Sequence, residues 1–471
     1  MLEPGEEILA LEKGHYALDL RASRLTIQAW DRHRNFVRRI VDIHSRQRGK
    51  LELVVERFAR KLGRVTLVDL ARPAAEGWER KGARLVFREQ LREMLSRLDP
   101  DWTIAELSSE ADLEHSLSPV YPRALLKKGS AGRAVIAAGP DTAEPSGILS
   151  FGLVWLDYLR KREPRLTIDG ISLFLPKGQE GETALRLRFL DPRAARYDLF
   201  TYGENGLVEP ADPMDHGNLK TRLDVFCSPE PRAEHWVERL CEGSEAETVV
   251  NPDGSVSARL RGIEFARSAG PEVLFGLKKR ALLHEGTLAE ARRLCTALAE
   301  ARREGSRNRG HPLYRSQPER WLESRVRAQI GELDATLLAS PVYGQVPAVA
   351  GTERSVIDLL AADRRGRLTV VELKASADLH LPLQALDYWI RVQWHVERGE
   401  FSGRGYFPGL ALVREAPRLL LVSPALEFHP TTETILRYFS ARIPVERIGV
   451  AGGWRRDLRV MFRSIGAATP D

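Results

Sequence analysis

Apolar runs alternate with amphipathic stretches between residues 63 and 176. The short runs at residues 65–70 and 133–138 predict buried strands. Helical spacing of apolar positions at residues 87–98 and 149–162 predicts helices between strands. Because strands that alternate with helices are typical of α/β folds, we predict an α/β domain over residues 63–176.

The last third of the chain has a longer series of predicted elements. Ser316, Pro318 and Glu319 form the pattern of a helix N-terminus, in which Glu319 is interpreted as a cap. The pattern then predicts a helix at 318–333, strands at 343–349, 355–361 and 368–374, a helix at 379–398, a strand at 419–422 and a helix at 431–441. This αβββαβ order predicts a second α/β domain over residues 306–471.

Two other segments differ in composition from these domains. Residues 1–62 form a basic segment, and the stretch 32–64 holds eleven arginines and lysines. We interpret that stretch as an amphipathic helix followed by a strand at 50–56, with Arg34, Arg38 and Arg39 on a phosphate-contacting surface. The alternative is a solvated helix face. Residues 177–305 mix short strands with a helix at 288–304, which predicts an α+β middle region.

Composition limits the class of protein. Hydrophobic residues make up 43% of the chain, yet no apolar run is long enough to cross a membrane. The acidic start at residues 1–10 lacks the pattern of a signal peptide, so we expect a cytoplasmic protein without membrane partners. The three cysteines match no zinc spacing. A net charge of +6 and a pI of about 9.2 favour a polyanionic partner only mildly.

Candidate chemistry lies on the predicted strand at 368–374. Glu372 and Lys374 are two residues apart, so they share one face of that strand. Asp358 interrupts the apolar run of the preceding strand and can approach the same point. Buried charges persist only when they are paired or bound to metal. Two carboxylates beside one lysine can therefore hold a divalent cation and a polarised water.

The series Asp358, Glu372-Leu373-Lys374 and Gln384 resembles the PD-(D/E)XK nucleases. The resemblance implies that Asp358, Glu372 and the backbone carbonyl of Leu373 bind metal, and that Lys374 orients or deprotonates the attacking water. Glu323 matches the acid that many members carry on the first core helix. The implied cofactor is Mg²⁺, or Mn²⁺, because oxygen ligands favour hard cations.

Gln384 lies four residues before Tyr388, as in the branch that cleaves mismatched and branched DNA. The resemblance implies that Gln384 and Tyr388 organise the site, and that Tyr388 and Arg391 contact nucleic acid. It covers about a third of the chain, from Ser316 to Arg463, and does not extend to residues 1–305. Ile357 stands where the family name has proline.

The resemblance implies a nuclease that hydrolyses phosphodiester bonds, with DNA as the expected partner and RNA not excluded. The implied fold is a restriction-endonuclease-like αβββαβ core that follows one or more N-terminal α/β domains. The alternative is a catalytically inactive protein that keeps this fold and binds nucleic acid or acts as a scaffold. Homodimerisation is left open.

A weak internal repeat links the two α/β domains. The tetrapeptide Ser-Pro-Val-Tyr occurs at residues 118–121 and 340–343, and Leu-Asp-Tyr occurs at 156–158 and 386–388. The hypothesis is that residues 63–176 are a diverged, inactive copy of the nuclease-like domain. Its strand lacks the acid and the lysine of the second copy. Coincidence is the alternative.

Overall fold

The computed structural model forms two compact units. The first contains the described residues up to Gln179 together with Asp198–Pro210, and the second contains Glu180–Tyr197 and those from Ala211 onward. The structure describes residues 16–21, 24–30, 35–47, 50–56, 62–68, 76–203, 205–216, 219–304, 310–350 and 353–466. Over these ranges, no helix is long and apolar enough to cross a lipid bilayer.

The first sheet of the first unit is a five-stranded antiparallel meander. Its strands pair in chain order, and Leu53, Val55 and Val65 form its buried centre. The strands are β1 (Tyr16–Arg21), β2 (Arg24–Trp30), β3 (Asn35–Gln47), β4 (Lys50–Glu56) and β5 (Leu62–Val68). The predicted strands at 50–56 and 65–70 are confirmed, as β4 and β5.

The predicted helix in the basic stretch is wrong, because β3 occupies that part of the chain. Two register shifts between β3 and β4 interrupt strict alternation, which removes the period-two signal from the sequence. Arg38 lies opposite Ile27, and its neighbour Arg39 points to the other face of the sheet. Arg38 and Arg39 therefore do not form one surface. Arg34 lies outside the described residues.

A second, six-stranded sheet completes the first unit. Its order is β11-β10-β9-β8-β7-β6. The elements over this part of the chain are α1 (Glu76–Leu98), β6 (Thr103–Ser108), β7 (Arg123–Lys128), β8 (Ala131–Ala137), a 3₁₀ turn (Pro145–Gly147), α2 (Ile148–Arg162), β9 (Thr167–Pro176), α3 (Gly181–Leu187), β10 (Arg196–Tyr202) and β11 (Val208–Pro210), of which α3 belongs to the second unit. The strands β7 and β8 pair antiparallel, whereas β8 and β9 are parallel and joined by α2. The predicted helices at 87–98 and 149–162 and the strand at 133–138 are confirmed.

The middle region folds around a five-stranded antiparallel sheet in the second unit. The helices α5 and α6 pack on this sheet through buried residues such as Val237, Phe265 and Leu298. The elements are α4 (Pro213–His216), α5 (Pro231–Cys241), β12 (Glu247–Val250), β13 (Val256–Leu260), β14 (Ile263–Ala269), β15 (Glu272–Phe275), β16 (Ala281–Leu282) and α6 (Glu285–Ala301). The predicted helix at 288–304 is confirmed as α6.

The C-terminal sheet has six strands in the order β17-β18-β19-β20-β21-β22. The elements are α7 (Pro312–Arg315), α8 (Pro318–Ala328), α9 (Ile330–Leu333), β17 (Tyr343–Ala350), β18 (Glu353–Ala362), β19 (Leu368–Leu373), α10 (Leu381–Glu397), α11 (Glu400–Gly403), β20 (Arg418–Pro424), α12 (Thr432–Leu436), β21 (Val445–Val450) and β22 (Val460–Ile465). The predicted elements are present, except that Gln329 separates α8 from α9 and that α12 is shorter than expected. The chain is therefore a mixed α/β protein with several sheets.

The two six-stranded sheets have the same strand order. In both, two antiparallel pairs precede a parallel pair whose strands are joined by a helix, α2 or α10. The duplication hypothesis required this common order. The two Ser-Pro-Val-Tyr tetrapeptides do not occupy equivalent positions in the two sheets. Residues 118–121 precede β7, the second strand of its sheet, whereas residues 340–343 lead into β17, the first strand of its sheet.

The segment Glu180–Tyr197 belongs to the second unit although β9 and β10 on either side belong to the first. Arg186 forms a buried ion pair with Asp387 on α10, with 2.6 Å between Nη2 and Oδ2. Leu190 forms an antiparallel bridge with Phe439. This segment is therefore held to the C-terminal part by both backbone and side-chain contacts.

A partly buried ionic network ties the end of α9 to the edge of the C-terminal sheet. Asp334 accepts a hydrogen bond from Arg418 at 2.6 Å, and Arg418 and Arg463 both pair with Glu446. Burial alone would raise the pKa of Asp334, but hydrogen bonds from Thr336 and Arg418 lower it to about 2.

We predict that Asp334→Asn lowers the free energy of unfolding by about 1–3 kcal/mol at pH 7, because Arg418 and Arg463 then lose one of the two carboxylates with which they pair. A depressed pKa stabilises the fold above the unfolded value and ceases to do so as the pH falls towards 2. The difference from wild type, measured by urea unfolding, should therefore shrink below about pH 4. The exposed Asp457→Asn is the control, and a pH-independent difference would contradict the prediction.

Candidate active site

Two carboxylates, that of the buried Glu372 and that of the partly buried Asp358, meet on the adjoining strands β18 and β19. The register places Leu359 opposite Val371, so Asp358 and Glu372 lie beside each other one position further along. Asp358 accepts a hydrogen bond from the backbone N–H of Leu373 at 3.0 Å through Oδ2. The structure therefore brings the predicted pair Asp358 and Glu372 together on one face of the sheet.

Burial makes the charged forms of both carboxyl groups costly. It raises the pKa of Asp358 to about 6, although the Leu373 N–H and Lys374 lower it. It also raises the pKa of Glu372 well above its usual range, and the adjacent Asp358 raises it further. Ionisation of both carboxyl groups at once is therefore unfavourable unless a cation lies between them.

The Glu372 side chain is only 1% exposed, and its Oε2 is buried with no hydrogen-bond partner. A buried carboxylate oxygen without a donor is uncommon, because the cost of removing it from water is not offset. A divalent cation bound to this oxygen and to Asp358 would offset that cost. The donor set of two carboxylates and an adjacent backbone carbonyl, at Leu373, suits Mg²⁺ or Mn²⁺.

Lys374 faces the same carboxylates. Its Nζ lies 3.9 Å from Oε1 of Glu372 and 3.5 Å from Oδ2 of Asp378. Burial would lower the pKa of Lys374, but Glu372 and Glu319 raise it, so the ammonium form predominates. Asp378 was not recognised in the sequence as part of this group.

The residues predicted to act from α10 differ in their surroundings. Gln384 donates to the Tyr388 hydroxyl at 3.2 Å, and burial together with Glu372 raises the pKa of Tyr388. This pair therefore borders the carboxylates, as expected for residues that organise the site. The expected contact of Arg391 with nucleic acid does not fit its position, because Arg391 is 5% exposed and its Nη1 donates to the Asp387 carbonyl. Tyr388 is equally buried, so it borders the site without forming an exposed contact surface.

Glu323 points inward from α8, as predicted. It accepts hydrogen bonds from Gln345 at 2.7 Å and from Arg320 at 3.0 Å. Burial raises the pKa of Glu323 to about 7, although Arg327 and Arg320 lower it. Gly344 leaves room for this carboxylate, since a Cβ there would lie 2.8 Å from Glu323 Oε1.

The middle region contributes a cation that the sequence did not reveal. Arg259 on β13 is 8% exposed, and its Nη1 lies 3.9 Å from Oε1 of Glu323. The tight turn that follows, at Gly262, fits against the backbone of α8, because a Cβ there would lie 2.3 Å from the Arg320 carbonyl carbon. A separation of about sixty residues from α8 gave no sequence signal for this contact.

Glu319 is a further residue whose part in the site was missed. It adds negative charge near Asp358, Glu372 and Lys374, and its predicted role as a helix cap is not observed. The helix has no side-chain cap in the structure. The four-residue spacing between Glu319 and Glu323 was the available signal, because such residues share one helix face.

Comparison with known proteins adds no relative: no protein-family model matches the chain, and no curated protein has a significantly similar sequence. Within the part of the chain that the structure describes, no group of three or more His, Cys, Asp or Glu side chains is arranged to hold a metal ion. Any metal at this site would therefore depend on two carboxylates and a backbone oxygen.

We predict that wild-type protein loses stability relative to Glu323→Gln as the pH rises from 5 to 8. An acid whose pKa is raised by folding binds its proton more tightly in the folded state, so its ionisation destabilises that state. The expected change is about 1–3 kcal/mol, measured by urea unfolding in EDTA at both pH values. A constant difference between the two proteins would show that Glu323 is already ionised at pH 5.

Proposed function

We propose that the chain is a metal-dependent nuclease that hydrolyses phosphodiester bonds, with DNA as the expected substrate. The observation that carries the proposal is the unpartnered, buried Oε2 of Glu372 beside Asp358. The series α8, β17, β18, β19, α10 and β20 has the order expected of the PD-(D/E)XK family, which the motif resembles. Lys374 and Gln384 flank the carboxylates from the strand and the helix that this family uses.

In this proposal, each residue has a distinct role. Asp358, Glu372 and the carbonyl of Leu373 hold the cation, which when bound neutralises the phosphate and lowers the pKa of bound water. Lys374 donates from its ammonium group to orient the attacking water. Gln384 fixes the Tyr388 hydroxyl next to Glu372, which keeps that carboxylate in place.

The arginines next to the carboxylates suit a polyanionic substrate. Arg320, Arg327 and Arg259 surround the carboxylate of Glu323, but Arg327 also pairs with Glu247 at 2.6 Å and Arg259 lies 3.8 Å from Glu264. Arg320 is 41% exposed along its side chain and can reach solvent. We propose that Arg320 contacts a phosphate next to the scissile bond and that buried Arg259 supports its position.

The alternative is a protein that keeps this site but does not cleave nucleic acid. Two buried carboxylates and a lysine could remain as an ionic cluster that only stabilises the sheet. This alternative predicts that removing one carboxylate changes stability without changing metal affinity, so the two proposals can be separated by experiment.

The cleavage test uses full-length protein with plasmid, single-stranded, flapped and mismatched DNA and with RNA, in Mn²⁺, in Mg²⁺ or in EDTA. We expect metal-dependent cleavage that Lys374→Ala reduces by about 100-fold or more, because a positioned proton-handling group contributes about that much. The exposed Glu415→Gln, in the same domain, is the matched control. Cleavage by Lys374→Ala at the wild-type rate would remove the role assigned to this lysine.

The metal test is calorimetric titration of Mn²⁺ into the same proteins. We expect Asp358→Asn and Glu372→Gln to lose most of the affinity, and Lys374→Ala to change it less than about tenfold, since lysine is not a ligand. If wild type binds no Mn²⁺ and cleaves none of these substrates, the nuclease proposal is rejected. Metal and nucleic-acid binding without cleavage would instead support the inactive alternative.

A further inference from the structure

The six-stranded sheet of the first unit carries an arginine where the C-terminal sheet carries its carboxylates. The strands β7 and β8 correspond in order to β18 and β19, and Arg123 on β7 lies opposite Ile136 on β8. The helix α2 presents Tyr158 to Arg123, just as α10 presents Tyr388 to Asp358. The six-stranded sheet of the first unit therefore has a cation at the place corresponding to the candidate metal site.

The surroundings of Arg123 do not account for its burial. Arg123 is 5% exposed, and its Nε and Nη1 are buried with no hydrogen-bond partner. Its guanidinium carbon lies 5.5 Å from the centre of the Trp155 ring, which offers only a weak cation–π contact. Burial lowers the pKa of Arg123, which reflects the cost of placing a charge there.

Two of the nearby carboxylates are engaged with other side chains. Glu106 pairs with Arg162 at 2.5 Å, and Asp112 pairs with His115 at 2.8 Å. These two and Glu110 favour the charge on Arg123 from a distance, yet none forms an ion pair with it among the residues that the structure describes. The guanidinium of Arg123 can therefore donate hydrogen bonds to an acceptor from outside the chain.

The side chains around Arg123 suit a nucleotide. The ring centroids of His115 and Tyr158 are 4.3 Å apart and both side chains are half-buried, while Arg162 lies 5.1 Å from the centre of the Tyr158 ring. Partly exposed aromatic rings next to arginine are the side chains on which bases of single-stranded nucleic acid stack. Arginine pairs with phosphate through its planar fork.

We propose that Arg123 forms an anion site for a phosphate group, supplied by a phosphodiester of single-stranded nucleic acid whose base stacks near Tyr158 and His115. In this proposal, the six-stranded sheet of the first unit binds substrate at the position where the C-terminal sheet would bind metal. The site does not require cleavage by the second unit, so it can stand even if the nuclease proposal fails.

The test compares Arg123→Met with Arg133→Met in the full-length chain. Arg133 is a matched control in the same sheet: it stacks on Trp102 at 4.6 Å but pairs with Asp99 at 3.1 Å. The first measurement is the Tm in sodium phosphate and in chloride of equal ionic strength. The second is the affinity for a labelled oligothymidylate in EDTA, where no cleavage occurs.

We expect phosphate to raise the Tm of wild type and of Arg133→Met but not that of Arg123→Met. In chloride, the Tm of Arg123→Met should equal or exceed that of wild type, since an uncompensated buried charge is removed. Its affinity for the oligonucleotide should fall about tenfold, as for loss of a charged hydrogen bond.

Two results would overturn the proposal: no phosphate response in wild type, or an equal response in Arg123→Met. A Tm that falls in Arg123→Met together with no phosphate response in wild type would assign the arginine a structural role. If Arg123→Met does not fold, Arg123→Lys replaces it. An undiminished phosphate response in Arg123→Lys would show that the planar guanidinium is not what binds phosphate. A phosphate response with unchanged oligonucleotide affinity would identify free phosphate as the occupant.

Discussion

The cost of burying negative charge at Glu372 is the constraint around which the second unit is arranged. The apolar strands β18 and β19 bury Glu372 and partly bury the adjacent Asp358, and among the residues that the structure describes only Lys374 lies close enough to Glu372 to pair with it. One ammonium group at 3.9 Å does not balance two carboxylates in a medium of low dielectric. Ionisation of both carboxyl groups is therefore unfavourable in the chain alone, and the metal ion of the proposed function would offset this cost.

Charge is more evenly balanced around Glu323. Three arginines approach this carboxylate from α8 and from the middle region, but Arg327 also pairs with Glu247 and Arg259 lies 3.8 Å from Glu264. Arg320 is the most exposed of the three, with 41% of its side chain accessible. In the proposed function, Arg320 is therefore the arginine that would meet a phosphate of the bound nucleic acid.

The local elements, and the relative positions of residues close together in the chain, could be predicted from the sequence. An apolar run predicted β19, the two-residue spacing predicted the common face of Glu372 and Lys374, and helical spacing predicted the inward position of Glu323. The register shifts in β3 concealed a strand within a helix-like pattern, so Arg38 and Arg39 were placed on one surface in error. Arg259 reaches Glu323 only through the packing of the middle region on α8, which no local pattern encodes. The repeated sheet was inferred from a tetrapeptide that does not occupy equivalent positions.

The path of the chain between the two units limits how the protein can be divided. Glu180–Tyr197 folds with the second unit, yet it is flanked by β9 and β10 of the first. A fragment that began at residue 211 would lack Arg186 and leave Asp387 buried without its partner. A fragment that ended at residue 179 would lack β10 and β11 of its sheet. No single cut releases both units intact, so dissection of this protein calls for circular permutation or co-expressed pieces rather than simple truncation.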